Sequence, residues 1–404
     1  MFDRIEIDGK KVDVYFDIEN FKFKIDRYDW TKIVSTFDKK IVKIKNFVLF
    51  IEYLGIGNNY SYEYDVLFYI HCDYNEFDPI DLNKIIISSE EISYLLYSEK
   101  KTPSKSYLIN KDNCKFSVSF NRSNKIQKWY YSEIKTGGNV TIDIKKCKDW
   151  DTYGKIINSV IDSISISSLT RRTNDFEILI YRNDEYYKGS IKFPKNISNE
   201  RKSYSLGNID IVGGEIKKII STLVDAPIVS QFIIPYYSNY HNQLEFYKLY
   251  ACFEYEYKKI IKDNLYSNEQ KQMIKKNKLM IEKIKTVLNE NKVEITKHYM
   301  DSLNNYNPME GHKQKLKNAI EYSKKFMNER FLDMNFYARE KEFVKYIYET
   351  RIKIIHEPND SIEIENSNFV DVFNEIVYAI FLKRCGISDK KIEKICKELL
   401  IPYA

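Results

Sequence analysis

The apolar residues of this chain repeat with one period up to about residue 235 and with another from about residue 241, and no single layer of structure accommodates both. In the first part, apolar and polar residues alternate. Ile5-Glu6-Ile7 and Val12-Asp13-Val14 flank Asp8-Gly9, where a glycine suits a tight hairpin turn. β-rich runs recur at Ile41–Tyr53, Tyr62–Ile70, Lys115–Phe120, Val140–Ile144, Phe176–Tyr181 and Tyr187–Phe193, with Asp151–Ser163 and Gly214–Leu223 as short helices. Many short strands separated by turns predict an antiparallel, sandwich-like or barrel-like sheet, not a βαβ sheet. In the second part the period is helical. Leu244, Tyr247, Tyr250, Ala251, Phe253 and Tyr257 form one stripe and Met273–Leu288 a second. Segments 312–330, 336–355, 367–383 and 388–400 follow, with Pro308, Pro358, Gly386 and Pro402 as breaks. The expected fold class is α+β: an antiparallel β-rich, sandwich-like domain over 1–235, then an all-α bundle over 241–404.

Composition narrows the function. Gly (12) and Pro (8) make up about 5% of 404 residues, well under the ordinary share near 12%, which excludes disordered, collagenous and Gly-rich phosphate-loop architectures. Lys dominates the 64 basic residues and the net charge is +6, so a single Lys carries little information and an Arg or one of the five His carries more. Cys72, Cys114, Cys147, Cys252, Cys385 and Cys396 are scattered without a Cys-x-x-Cys pair, the pattern of reduced thiols in a cytosol. The N-terminus lacks the apolar region of a signal peptide, and the most apolar long stretch, Ile211–Tyr237, carries Lys217, Lys218 and Asp225. The expectation is a cytoplasmic protein with no membrane partner.

Chemistry is most concentrated at Glu349-Thr350-Arg351-Ile352-Lys353-Ile354-Ile355-His356-Glu357-Pro358. Arg351 follows Val344 by seven and Ile347 by four, which places a guanidinium on a core-facing stripe, a costly position unless it is paired or lines a cleft. Pro358 disfavours helix at Glu357, so the helix should end at His356, where the negative end of the helix dipole suits a proton donor. On a straight helix His356 lies about 140° around from Arg351, and a ring released at the helix end can swing back toward it. Five His and 11 Arg in 404 positions give about 0.14 chance matches at one offset, so the setting, not the spacing, carries the signal. The alternative is a helix-terminal ion pair of these residues with Glu349 or Glu357.

In this setting the chain resembles the HEPN superfamily, whose ribonucleases carry Arg and His four to six residues apart on a bundle helix. With its β-rich front half it further resembles the ApeA-like HEPN proteins of prokaryotic antiphage defence. The resemblance implies a metal-independent endoribonuclease with no cofactor and Arg351 and His356 as catalytic residues. It also implies a homodimer, or a higher even oligomer, through the bundle. The substrate would be RNA, tRNA or mRNA unresolved, and a phage-derived or other trigger would bind the β domain. The second reading is a non-catalytic ligand- or protein-binding module with a helical dimerisation domain. It is favoured by Ile352, where that family has a polar residue.

Other signals have plain readings beside functional ones. Lys258–Lys285 holds nine Lys and three acidic residues, an RNA-tracking face or a solvated one. Glu52–Asp81 holds seven acidic residues and no basic one, a protein-binding or a solvated face. His71-Cys72-Asp73 reads as core packing rather than a metal site. His298 and His312 read as surface residues of bundle loops. Arg171-Arg172 and Lys128-Trp129-Tyr130-Tyr131 mix charge with aromatics as single-strand binders do. Gly55-Ile56-Gly57 lacks the strand-to-helix setting of a dinucleotide site.

Overall fold

A computed structural model describes residues 1–7, 10–25, 41–56, 62–73, 84–89, 92, 96, 104–111, 114–121, 127–128, 134–135, 138–146, 150–168, 175–182, 185–194, 209–225, 243–260, 268–290, 311–326, 339–356, 364 and 367–399. The chain divides into two compact units, Met1–Ile228 and Val229–Ala404. The first is a large antiparallel sheet with helices, the second is helical.

In the first unit, strands β1 (Phe2–Ile7), β2 (Lys10–Asp17), β3 (Lys22–Ile25), β4 (Ile41–Ile44), β5 (Phe47–Ile56) and β6 (Tyr62–Cys72) form one lobe. A second set comprises β7 (Lys84–Ser88), β8 (Lys105–Lys111), β9 (Cys114–Asn121), β12 (Asn139–Lys146), β13 (Asp175–Arg182) and β14 (Glu185–Lys192); β10 (Gln127–Lys128) and β11 (Ile134–Lys135) pair separately. The first twelve of these hydrogen-bond into one sheet, in the order β1-β2-β3-β6-β14-β13-β7-β12-β9-β8 with β5 and β4 attached to β6. The expected antiparallel, β-rich architecture is present, as a single branched hydrogen-bonded sheet. Turn spacing sets how many strands form, but not which edge each one joins.

The branch is β6. It pairs with β5 along its length, with β3 beside Tyr62–Asp65 and with β14 beside Tyr69–Cys72. Between those two stretches lies a bulge: Phe50 faces Phe68 and Ile51 faces Val66, so Leu67 is left over and is 37% exposed. A bulge sharpens local twist, which lets the two stretches of β6 diverge. The six strands of the first lobe curl until β1 nears β4 around a core that includes Val14, Phe16, Phe23, Leu49, Tyr64 and Val66. The acidic run Glu52–Asp81 is partly neutralised across strands, because Lys24 and Lys22 of β3 pair with Glu63 and Asp65 at 2.6 and 2.5 Å. His71 stays half-buried against the Phe47 ring and within 2.7 Å of the Asn46 amide nitrogen, while Cys72 is buried.

Helix α1 (Trp150–Ser168) runs longer than its sequence segment and is buried from Tyr153 nearly to its end. Two of its buried serines bond to the helix backbone: the Ser159 hydroxyl donates to the Lys155 carbonyl at 2.6 Å and Ser163 to Val160 at 2.7 Å. This lets a Ser-rich helix run through the core. Helix α2 (Ile216–Asp225) packs on it. Gly154 makes the close approach of α1 possible, since a Cβ there would fall 2.0 Å from Phe50 Cε1.

The second unit contains α3 (Gln243–Ile260), α4 (Asn268–Glu290), α5 (His312–Ser323), α6 (Glu340–His356), α7 (Ser367–Arg384) and α8 (Asp389–Leu399). Helix α7 is buried on all sides from Phe369 to Leu382 and is the axis on which α3, α5, α6 and α8 pack. It ends as the sequence predicts: Gly386 takes φ +72°, its N–H donates to Lys383 O at 2.9 Å and that of Ile387 to Leu382 O at 3.3 Å. The stripe expected for α3 is corrected. Tyr247 and Ala251 are exposed, and the buried arc instead includes Phe246, Leu249, Tyr250, Phe253, Glu256 and Tyr257. Glu256 is the reason, for it is fully buried and forms an ion pair with Arg384 of α7. Burial pushes its carboxyl above the ordinary range despite Arg384. Helix α4, by contrast, is exposed along most of its length, with Ile281 buried. Among the described residues no helix is long and apolar enough to cross a membrane.

Two substitutions test this packing. Gly154→Ala gains helix propensity of about 1 kcal/mol yet overpacks Phe50, which stacks on Phe68 at 4.1 Å. A net loss of about 1–3 kcal/mol is expected in urea unfolding, partly reversed by adding Phe50→Leu; undiminished stability of the single variant would contradict the contact. For the ion pair, Arg384→Met alone should cost about 3–5 kcal/mol, while Glu256→Leu with Arg384→Met should restore or exceed parental stability. Equal loss in the single and double variants would show that the pair is a net stabiliser.

Candidate active site

Arg351 lies two turns after Val344 on α6, beside the buried face formed by Phe343, Val344, Ile347, Thr350 and Ile354. It is half-buried, and the cost of that position is met by an aromatic ring rather than a carboxylate: its guanidinium carbon sits 5.3 Å from the centroid of Tyr250 on α3. Among the described residues no acidic side chain lies within ion-pair distance of Arg351; Glu349 reaches Lys345 instead, at 4.0 Å. The alternative of a helix-terminal pair with Glu349 is not formed, and Glu357 lies outside the described residues.

His356 is the last described residue of α6 and keeps its helical position. It is exposed and makes no hydrogen bond or ion pair among the described residues. The swing of its ring toward Arg351 is not observed within one chain.

Another histidine occupies that neighbourhood. His312 opens α5, and its Nδ1 lies 2.8 Å from Glu254 Oε1 on α3. A carboxylate is the stronger acceptor, so Nδ1–H donates to Glu254 and the neutral ring keeps Nε2 unprotonated. The Tyr250 hydroxyl oxygen lies 3.3 Å from the same Nδ1, as a weaker second acceptor, and the ring centroids of Tyr250 and His312 are 6.2 Å apart. Arg351 and His312 thus flank one tyrosine. Tyr348 of α6 stands 6.4 Å from the His312 ring and carries Lys313 Nζ over its face at 4.7 Å, while Lys315 approaches Glu254 at 3.8 Å.

The electrostatics follow from these neighbours. Burial is the largest influence on His312 and lowers its pKa; Glu254 opposes the shift, and Arg351 and Lys315 reinforce it. Its place at the positive N-terminal end of α5 acts in the same direction. The neutral base is therefore the form favoured near pH 7. Burial likewise raises the Tyr250 hydroxyl, with Glu254 adding to the shift and Arg351 opposing it, so this phenol stays protonated.

The sequence reading of His312 as a surface loop residue is corrected: its side chain is 34% exposed and held at a helix start by Glu254. Its partners come from other helices, so local spacing could not reveal it. His298, Arg171-Arg172, Trp129-Tyr130-Tyr131 and Gly57 lie outside the described residues. Among the described residues, no three His, Cys, Asp or Glu side chains gather as they would to hold a metal ion. Compared with known proteins, the chain matches no family model, no curated protein and no solved structure, so the chemistry of this site has to be read from its residues.

Proposed function

We propose that the helical unit is a metal-independent endoribonuclease of the HEPN type that cleaves RNA by attack of the 2′-hydroxyl on the adjacent phosphorus. The observation that carries this reading is a guanidinium supported by a ring and, among the described residues, without a carboxylate partner, on the same helix whose end presents an exposed imidazole with no hydrogen bond among those residues. An Arg so placed offers its planar fork of donors to a phosphoryl group that gains charge in the transition state. His356 moves a proton as general acid or base. Lys313 and Lys315 nearby add positive charge suited to a phosphodiester backbone.

The bond changes balance without a co-reactant. The 2′-oxygen bonds to phosphorus, the bond to the 5′-oxygen breaks, one proton leaves the 2′-hydroxyl and one reaches the 5′-oxygen. The products are a 2′,3′-cyclic phosphate and a free 5′-hydroxyl. A homodimer or higher even oligomer that pairs two motifs across a shared cleft would place one chain's His356 opposite the other's Arg351. The β-rich unit would restrain the nuclease until a phage-derived or stress signal binds it, as an antiphage defence effector requires. A binding module without catalysis is the second reading, favoured by Ile352 beside Arg351.

Arg351→Ala and His356→Ala should each abolish cleavage of total cellular RNA with unchanged melting curves. Cleavage should survive EDTA and leave cyclic phosphate ends. Light scattering at micromolar concentration should show no monomer, and mixing the two inactive variants should restore part of the activity. Parental rates in both variants would remove the site assignment. Chelation that stops cleavage, with Mg²⁺ restoring it, would point to a different centre, and an RNA-inert parent would favour the binding module.

A further inference from the structure

His312 and Glu254 have no role in the reaction as set out above, although they adjoin Arg351. Their geometry is that of a base and its orienting group. Glu254 fixes the tautomer by accepting from Nδ1 at 2.8 Å, and Nε2 has no hydrogen-bond partner among the described residues. The side chain as a whole is about one-third exposed. We propose that His312 is a second proton-transfer residue of the Arg351 site, with Glu254 as its positioning residue, and that its Nε2 takes the proton from the RNA 2′-hydroxyl.

The inference rests on the ribonuclease reading and deepens it. Each protomer then supplies the anion-binding Arg351 and the base His312 from the same cluster, while His356 gives a proton to the leaving 5′-oxygen. The two histidines occupy opposite helix ends, His312 at the start of α5 and His356 at the end of α6. The groups that set the behaviour of His312 are Glu254 and Tyr250 on α3, Lys313 and Lys315 on α5, and Arg351 and Tyr348 on α6. Glu254 is acidic, the two lysines and Arg351 are cationic, and burial keeps the Tyr250 phenol protonated. This balance keeps the imidazole neutral to below its ordinary pKa.

The test uses the full chain and total cellular RNA, with cyclic phosphate ends as the readout. His312→Gln should lower kcat on the order of 100-fold with KM within a few-fold, the usual scale of a general base. Glu254→Gln should lower it on the order of 10-fold and move the acidic limb of the pH profile to lower pH. The sign follows because the lost carboxylate had favoured the imidazolium. A structural role would lower stability without moving that limb. Mixing distinguishes the sites further. His312→Gln with His356→Ala chains should recover activity, and His312→Gln with Arg351→Ala chains should not, because those two lesions fall in one chain's half of the site.

If His312→Gln cleaves within about twofold of the parent while Arg351→Ala and His356→Ala are dead, the inference fails and the ribonuclease reading stands. If His312→Gln does not fold, an unshifted acidic limb in Glu254→Gln overturns it. A parent that cuts no RNA removes both.

Discussion

A carboxylate with no exposure meets a nearly buried guanidinium between α3 and α7, and the rotation of α3 depends on that encounter. Among the described residues Glu256 and Arg384 leave one oxygen and one nitrogen without hydrogen bonds, so the pair is poorly compensated as an energetic device. Its clearer effect is geometric. With Glu256 turned toward α7, residues 250 and 254, one turn apart, share the face of α3 directed at α5 and α6. Tyr250 and Glu254 can then meet His312 and Arg351. A rotation of α3 that relieved the buried charge would also dismantle the candidate site.

The site itself turns on what supports Arg351. A carboxylate partner would hold the guanidinium more strongly, but it would neutralise the charge on which the proposed reaction relies. The Tyr250 ring offers attraction without neutralisation, and its buried phenol stays protonated and does not become a competing anion. Among the described residues Glu254 is the acidic group of this cluster, and it is engaged by His312 and Lys315. A guanidinium is thus held in a half-buried position with its charge available.

Hydrophobic period was enough to expose the division into a β-rich and a helical part, and Gly386 marked a helix end through its own conformational freedom. The Arg351 and His356 pattern could be read because both residues lie on one helix. His312 could not, since Glu254 reaches it from a helix far upstream and Arg351 from one downstream. Tyr247 and Ala251 were placed on the buried stripe of α3 because Glu256 counts as polar in any periodic pattern. Its burial becomes intelligible when Arg384, distant in sequence, is known to be its partner. The branched sheet was hidden for a related reason: alternation along β6 specifies its faces, whereas its edges are claimed by strands from both earlier and later in the chain.

That double claim on β6 has a consequence during synthesis. The strands that pair beside Tyr62–Asp65 and along β5 are already made when β6 emerges, but the partner for Tyr69–Cys72 is β14, which begins at Glu185. At ordinary elongation rates the ribosome needs on the order of ten seconds to reach it. For that interval the nascent chain carries an open, apolar strand edge, Tyr69-Ile70 flanked by Phe68 and Cys72, that any other extended segment could occupy. A strand shared by two lobes thus makes the first lobe unfinished until most of the unit has been translated. Exposed strand edges of this kind are sites of misassembly during folding.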